Sequence, residues 1–285
     1  MFFAGSILKS LKIGGFHKKL VNEMLVYSLP LIPNALMWLI ITSVSKVFIQ
    51  FHFGNESVGI YGFATKIPLI LSQVTAIFMS AWQISAVENV GKNKDDFSRT
   101  TFNIFYTIGF LIVSVEMIFN KFLIYTFVSQ NYQSSYRYIP IIFLATSLIG
   151  FSSFFGSVYI ASKKTFGALI STIIAAIVNI LIIFIFIRDF GLFGVSYAML
   201  ISCIIVLIYR VLDTRIRFSY KIISYHFYLS LIVILIGVIL YNSVFSSVWI
   251  NVSSAILIII INIKTIIYVI SKSIIYFNSF FFNRH

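Results

Sequence analysis

The stretch FGALISTIIAAIVNILIIFIFIRDFGLFGVSYAMLISCIIVLIYR, residues 166–210, decides the fold. It holds two apolar runs of about 20 residues each, the length a helix needs to cross the hydrocarbon of a bilayer. Only Arg188-Asp189-Phe190-Gly191 separates them. The runs are continuous and rich in Ile, Leu and Phe instead of alternating, so they read as helices and not as barrel strands. The rest of the chain repeats the pattern. Of 285 residues, 60% are hydrophobic and 10% charged, with a mean hydropathy of +1.00, which leaves too few charges for the skin of a soluble fold. Windows of about 19 residues predict eight spans, near 26–52, 58–86, 101–119, 138–161, 167–187, 191–211, 225–242 and 248–270. The expected fold class is therefore all-α, a polytopic transmembrane helix bundle. Polar or turn-forming breaks separate the spans, among them Gly54-Asn55-Glu56, Ser129 to Arg137, Ser162-Lys163-Lys164 and Asp213 to Lys221.

Charge orients this bundle, because basic residues stay on the cytoplasmic side during insertion. One side collects 16 of the 21 basic residues: Lys9, Lys12, Lys18, Lys19, Lys92, Lys94, Arg99, Lys163, Lys164, Arg210, Arg215, Arg217, Lys221, Lys264, Lys272 and Arg284. The other side has Lys121, Arg137 and Arg188, and two lysines, Lys46 and Lys66, fall inside spans. Both termini are expected in the cytoplasm. The net charge of +13 is accounted for by this asymmetry and by anionic lipid headgroups, so membrane lipid is the expected partner and nucleic acid is not. The N-terminal stretch lacks the small-residue cleavage site of a secretory signal.

Helices that only anchor a protein are apolar all round, whereas those lining a cavity carry a polar or small-residue stripe. In the first span Asn34, Trp38, Thr42, Ser45 and Lys46 fall within about 120° of one another, and Pro30 and Pro33 are expected to break or bend its start. The second span carries Gly59, Lys66, Gln73 and Ser80 at seven-residue steps, which drift only about 20° per step. Lys46, Lys66, Gln73, Asn34, Trp38 and Ser80 are the candidate substrate-binding residues. Counting from the span ends puts both lysines roughly 10 Å deep, at one level, where either a cavity or snorkelling to the headgroups would retain them. Rows of small residues in the fourth span (Thr146, Gly150, Ser153, Ser157), the fifth (Gly167, Ser171, Ala175, Asn179) and the sixth (Gly194, Ala198, Ser202) read as tight helix packing. The last two spans, dominated by Ile, Leu and Val, are expected at the lipid-facing periphery. Glu116 is expected near the outer interface, satisfied by water or Lys121.

Catalytic and metal chemistry find no residues to carry them. The eight acids are scattered, His17, His52, His226 and His285 lie at membrane edges or termini, and no ligand spacing, nucleophile elbow or phosphate-cradling loop is present. The single cysteine, Cys203, sits in an apolar run and reads as a small buried hydrophobe. No enzyme activity, cofactor or metal is expected.

Residues 25–49, LVYSLPLIPNALMWLIITSVSKVFI, and 58–89, VGIYGFATKIPLILSQVTAIFMSAWQISAVEN, carry a resemblance. They are similar to the C-terminal half of bacterial polysaccharide flippases of the multidrug/oligosaccharidyl-lipid/polysaccharide exporter superfamily. The likeness continues through Asp95-Asp96-Phe97, NKFLIYTFVSQNYQSSYRYIPI (120–141), YIASKKT (159–165), FGLFGVSYA (190–198) and Asp213-Thr214-Arg215, covering roughly residues 16–220. The resemblance implies one lobe of six helices over 23–220, a cytoplasmic lead-in or linker over 1–22, and two accessory helices with a cytoplasmic tail over 221–285. It implies a multi-pass protein of the bacterial inner membrane that moves undecaprenyl-pyrophosphate-linked oligosaccharide repeat units between leaflets by alternating access. Such units feed surface polysaccharides such as the O-antigen of lipopolysaccharide. Lys66 and Lys46 would then meet the pyrophosphate or an acidic sugar. Where the family often has an acidic-basic pair, this chain has Ser45-Lys46. Met1 to Gly15 resembles the tail of a sixth helix plus the linker between lobes. The other lobe is therefore expected on a separate polypeptide, or lost if the chain is a fragment. Two alternatives stay open: a cation-coupled multidrug exporter of the same superfamily, and a membrane-embedded polymerase or transferase of envelope synthesis.

Overall fold

The computed structural model describes residues 18–88, 94–218, 220, 222–243 and 248–282. Lys9, Lys12, Lys92, Lys221 and Arg284 of the basic set, and the lead-in up to position 17, lie outside the described residues. The elements in chain order are α1 (Lys18–Ser28), α2 (Leu31–Ala64), α3 (Lys66–Glu88), α4 (Lys94–Phe127), a 3-10 helix (Gln130–Arg137), α5 (Ile139–Ala161), α6 (Phe166–Phe218), α7 (Tyr225–Tyr241), α8 (Val248–Ile261) and α9 (Ile263–Phe282). The fold is all-α, as expected. Pro30 ends α1 and opens α2, and Pro33 sits in the first turn of α2, where a missing N–H costs no helical bond.

By length and apolar composition, four described helical stretches can cross a membrane, or five if α8 and α9 count as one bent span. Two of the three spans that separate five from the expected eight are hidden by glycine reversals, and the third is the short α7. Gly54 (φ 76°, ψ −176°) and Gly191 (φ 55°, ψ −133°) leave the helical region inside α2 and α6 at dihedrals that only glycine adopts cheaply. The limbs then fold back on each other. The Tyr61 side chain meets Ser45, although sixteen positions of straight helix would separate them by about 24 Å. Arg210 Nε donates to Ser171 Oγ at 3.0 Å across the α6 reversal. The stretches 31–53, 55–88, 94–127, 139–161, 166–190 and 192–218 are thus separate passes, and the bent α8–α9 pair is long and apolar enough to add one more. The 17 residues of α7 span about 26 Å, slightly less than the hydrocarbon thickness.

Side-chain contacts fix the direction of each pass. A Cβ on Gly59 would lie 3.2 Å from the Tyr132 ring of the 3-10 helix. Farther along the same pass Thr75 meets Gly150, and Trp82 Nε1 donates to Ser157 Oγ at 2.9 Å. The two reversals also share an end, with Phe53 against Gly191, and Asn242 at the close of α7 donates to the Arg137 carbonyl there at 2.8 Å. Every break assigned by sequence to the sparsely charged side therefore lies at this Gly54 end among the described residues.

Small residues bring the helices together, since lipid supplies little hydrophobic drive between them. Gly167, Ser171, Ala175, Asn179, Gly194, Ala198 and Ser202 are all buried. A Cβ on Gly150 would meet Thr75 Cγ2 at 2.8 Å, and one on Gly109 the Phe151 ring at the same distance. Around Gly109 an aromatic core of Phe102, Tyr106, Phe110, Phe151, Phe154 and Phe227 is almost wholly buried.

α7, α8 and α9 pack on α4, the peripheral position expected of them. Their contact with it is more polar than the runs of Ile and Leu suggest. Tyr106 donates to Asn262 Oδ1 at 3.1 Å, Asn262 Nδ2 to Ser230 Oγ at 2.8 Å, and Asn120 Nδ2 to the Tyr241 hydroxyl at 3.0 Å. Asn262 marks the 72° bend between α8 and α9, where side chains compensate backbone groups freed by the break.

Candidate functional site

Three of the motifs that carry the family resemblance, those around Tyr27, Tyr159 to Thr165 and Asp213, meet at the end of the bundle opposite Gly54, while 120–141 and 190–198 lie at the Gly54 end. Tyr159 donates to Asp213 Oδ2 at 2.9 Å, Arg217 Nε donates to Asp213 Oδ1 at 2.6 Å, and Thr165 Oγ1 donates to the Tyr27 carbonyl at 2.8 Å. Gly167 lets Tyr159 and Asp213 close over it, since a Cβ there would come within 2.6 Å of the Tyr159 ring. Trp82 stacks on Phe154 at 4.2 Å between ring centroids while donating to Ser157. These residues hold turns and helix pairs together.

The candidate substrate residues divide into two groups. On α2 the buried face is Ile41, Ser45 and Ile49, and Asn34 and Trp38 lie on its line. Asn34 Oδ1 accepts from Thr172 Oγ1 at 3.0 Å, and Trp38 packs half-buried on a cluster of Ile41, Ala175, Ala176 and Val206. The polar stripe read on this span therefore splits, with its centre turned toward α6 and its flank, Thr42 and Lys46, exposed. On α3 the stripe is intact. Lys66, Gln73 and Ser80 are all exposed, while Leu71, Met79 and Trp82 form the opposite, buried face. Ser80 Oγ returns to its own helix at the Ala76 carbonyl, 2.9 Å away.

Lys46 and Lys66 do not share one depth. The contact of Tyr61 with Ser45 sets the register of the Gly54 hairpin, so Lys66 lies about six residues farther from the reversal than Lys46. That is roughly 9 Å along the helix. Counting from estimated span ends missed this offset because the reversal lies at Gly54 and the second pass begins there.

Both passes leave apolar side chains uncovered, Leu39 and Val47 on α2 and Ile70, Val74 and Ile77 on α3 being exposed, whereas α5 is buried along most of its length. The passes bearing Lys46 and the Lys66–Gln73–Ser80 stripe thus form the open face of the lobe.

Glu116 departs from its expected environment. Both carboxyl oxygens are buried with no hydrogen-bond partner. Lys121 instead places its ammonium 5.9 Å from the Tyr125 ring centroid and 5.7 Å from that of Tyr136. The helix α4 extends past the expected span end at 119 to Phe127, which carries Glu116 inward. Arg210, assigned by sequence to the cytoplasmic edge, is also buried, and its Nη1 donates to the Ser152 carbonyl at 3.0 Å.

No family model matches the chain, and no curated protein matches it. A solved structure does: "Lipid II flippase MurJ, inward closed conformation" aligns with a TM-score of 0.61 and 22% sequence identity, over 92% of this chain and 58% of that one. The chain thus has the helical fold of a little over half of that protein and spans 58% of its length.

Proposed function

We propose that the chain forms one lobe of a flippase for lipid-linked oligosaccharide in a bacterial inner membrane, with both of its termini in the cytoplasm. The observation that carries this reading is the stripe Lys66, Gln73 and Ser80, exposed along a membrane-length helix. Charge and amide groups at that depth are costly against hydrocarbon and are kept where they meet water, a partner helix or a substrate. A second lobe, on this polypeptide or another, would cover the open face of α2 and α3 and enclose an aqueous path between them. Rocking of two such units about a central site is the usual form of alternating access. The solved neighbour described as a lipid II flippase supports a lipid-linked substrate. The family resemblance of residues 16–220 supports polysaccharide repeat units on undecaprenyl pyrophosphate, including O-antigen, as that substrate.

In this scheme Lys66 attracts the pyrophosphate, with Gln73 and Ser80 offering hydrogen bonds deeper along the path and Lys46 a second charge nearer the Gly54 end. At an effective dielectric near 20, one cation–anion contact at 4 Å supplies about 4 kcal/mol before desolvation removes much of it. The test is transport in the assembled system. Lys66→Gln should lower surface polysaccharide at equal membrane abundance, while Lys66→Arg should largely preserve it. Undiminished transport by Lys66→Gln would mean that the side chain only snorkels.

One observation favours a second reading, cation-coupled multidrug export. Glu116 is a buried acid of the kind such exporters use, and its carboxyl is not engaged by protein groups. Drug resistance conferred by the assembled protein and abolished by Glu116→Gln would support export over lipid flipping.

A further inference from the structure

A cavity of about 360 Å³ opens at the Gly54 end between α4, the 3-10 helix, α7 and α8. Its volume lies in the range of small-molecule sites, and its lining is divided by chemistry. Lys121, Tyr136, Arg137, Tyr241, Asn242 and Asn251 supply polar groups, whereas Met117, Ile118, Phe193 and Val248 are apolar. No acid lines it.

Three asparagines tie its walls together. Asn120 Nδ2 donates to the Tyr136 carbonyl at 2.8 Å, Asn242 Nδ2 to the Arg137 carbonyl at 2.8 Å, and Asn251 Nδ2 to the Met117 carbonyl at 3.3 Å. Each joins a different pair of elements, so the cavity is a built feature and not a gap left by loose packing. The two cations converge on one ring. Lys121 Nζ lies 5.7 Å from the Tyr136 centroid and Arg137 Cζ 5.8 Å from it. Arg137 Nε donates to the Tyr136 hydroxyl at 3.4 Å. Neither cation has a carboxylate within salt-bridge distance among the described residues.

Both side chains are exposed, so solvent screens much of their mutual repulsion, and an anion held between them would offset the rest. Their position adds to the case, because they are two of the three basic residues on the sparsely charged side of the chain, where positive charge is otherwise avoided. The Asn251 side-chain carbonyl supplies a third, independent clue. It is buried without a donor, and an unpaired buried acceptor costs about 1–3 kcal/mol, so a ligand hydroxyl is the group that would satisfy it. The Tyr241 hydroxyl accepts from Asn120 and keeps its own proton to give.

We propose that this cavity binds a phosphate ester bearing hydroxyl groups, as the headgroup of an anionic glycerophospholipid, with its phosphate between Lys121 and Arg137 and a hydroxyl donating to Asn251. The apolar wall of Met117, Ile118, Phe193 and Val248 selects the lipid over a free phosphate, because it offers a surface for the start of an acyl chain. The site is separate from the α2–α3 face and would clamp the accessory helices to the lobe.

Native mass spectrometry of the full chain in detergent, titrated with phosphatidylglycerol, phosphatidylcholine, glycerol phosphate or inorganic phosphate, tests the proposal. Phosphatidylglycerol should bind about tenfold more tightly than phosphatidylcholine, and K121Q/R137Q should lose most of that preference. The charge-preserving K121R/R137K should keep it and report on folding. Arg188→Gln, which removes the remaining basic residue of that side outside the cavity, should leave binding within about twofold. Phosphatidylglycerol binding that survives K121Q/R137Q, or equal retention of both lipids by the parent, would overturn the site. Displacement of phosphatidylglycerol by glycerol phosphate or inorganic phosphate at similar concentration would overturn the lipid as its occupant.

Discussion

Thr172 on α6 donates its hydroxyl to the side-chain carbonyl of Asn34 on α2 at 3.0 Å, joining residues 138 positions apart. A residue whose spacing pointed to a substrate path thereby also fastens the open pass to the rest of the lobe. Thr172 is within reach of the Ala168 and Leu169 carbonyls as well, so it stays satisfied when Asn34 is removed. The Asn34–Thr172 coupling should therefore be near the membrane-protein average of about 0.6 kcal/mol. A double-mutant cycle of Asn34→Ala and Thr172→Val in unfolding experiments measures it, and a coupling of zero would leave Asn34 free for a substrate role alone.

Gly156 is fixed by Arg210. A Cβ at this position would come within 2.9 Å of Arg210 Nη1, and the guanidinium is held by Ser171 and the Ser152 carbonyl. Gly156→Ala should destabilise the lobe by about 1–3 kcal/mol through overpacking. Thermal unfolding in detergent reads the loss, and a variant as stable as the parent would show that Arg210 swings aside.

Glu116→Gln should stabilise the protein. The glutamine matches the carboxyl in size and adds two amide protons one helical turn from Asn120, whose own Oδ1 is buried without a donor. Satisfying that acceptor while removing a buried ionisable group should gain about 1 kcal/mol. Equal or lower stability in the same unfolding assay would mean that the carboxyl already has a partner in the membrane.

The sequence exposed the passes well and their contacts less well. Apolar runs and turn residues placed the helices because lipid demands continuous length, and the small-residue rows from Gly167 to Asn179 and from Gly194 to Ser202 are buried as their packing role requires. The seam of Asn251, Asn262 and Tyr241 stayed hidden, since one amide barely changes the average hydropathy of an Ile-rich window. Arg210 reads as an edge charge until its Ser171 and Ser152 partners are seen, 39 and 58 positions away. On α2, helical angles grouped Asn34 with Lys46 correctly, but only the packing of α6 against Ile41 and Ser45 divides that group into a buried centre and an exposed flank.

The central claim is that the Lys66–Gln73–Ser80 face of α3 borders water and not lipid when the transporter is assembled in its membrane. Thiol accessibility measures this directly, in a background where Cys203, buried and unpaired, is replaced by serine. Single cysteines at Gln73 and Ser80 would be compared with one at Ile236, an exposed apolar residue on α7, using a hydrophilic methanethiosulfonate reagent. Gln73→Cys and Ser80→Cys should react and be slowed by added lipid-linked oligosaccharide, while Ile236→Cys should stay unlabelled. Gln73→Cys and Ser80→Cys as inert as Ile236→Cys would place the stripe against lipid and contradict the account.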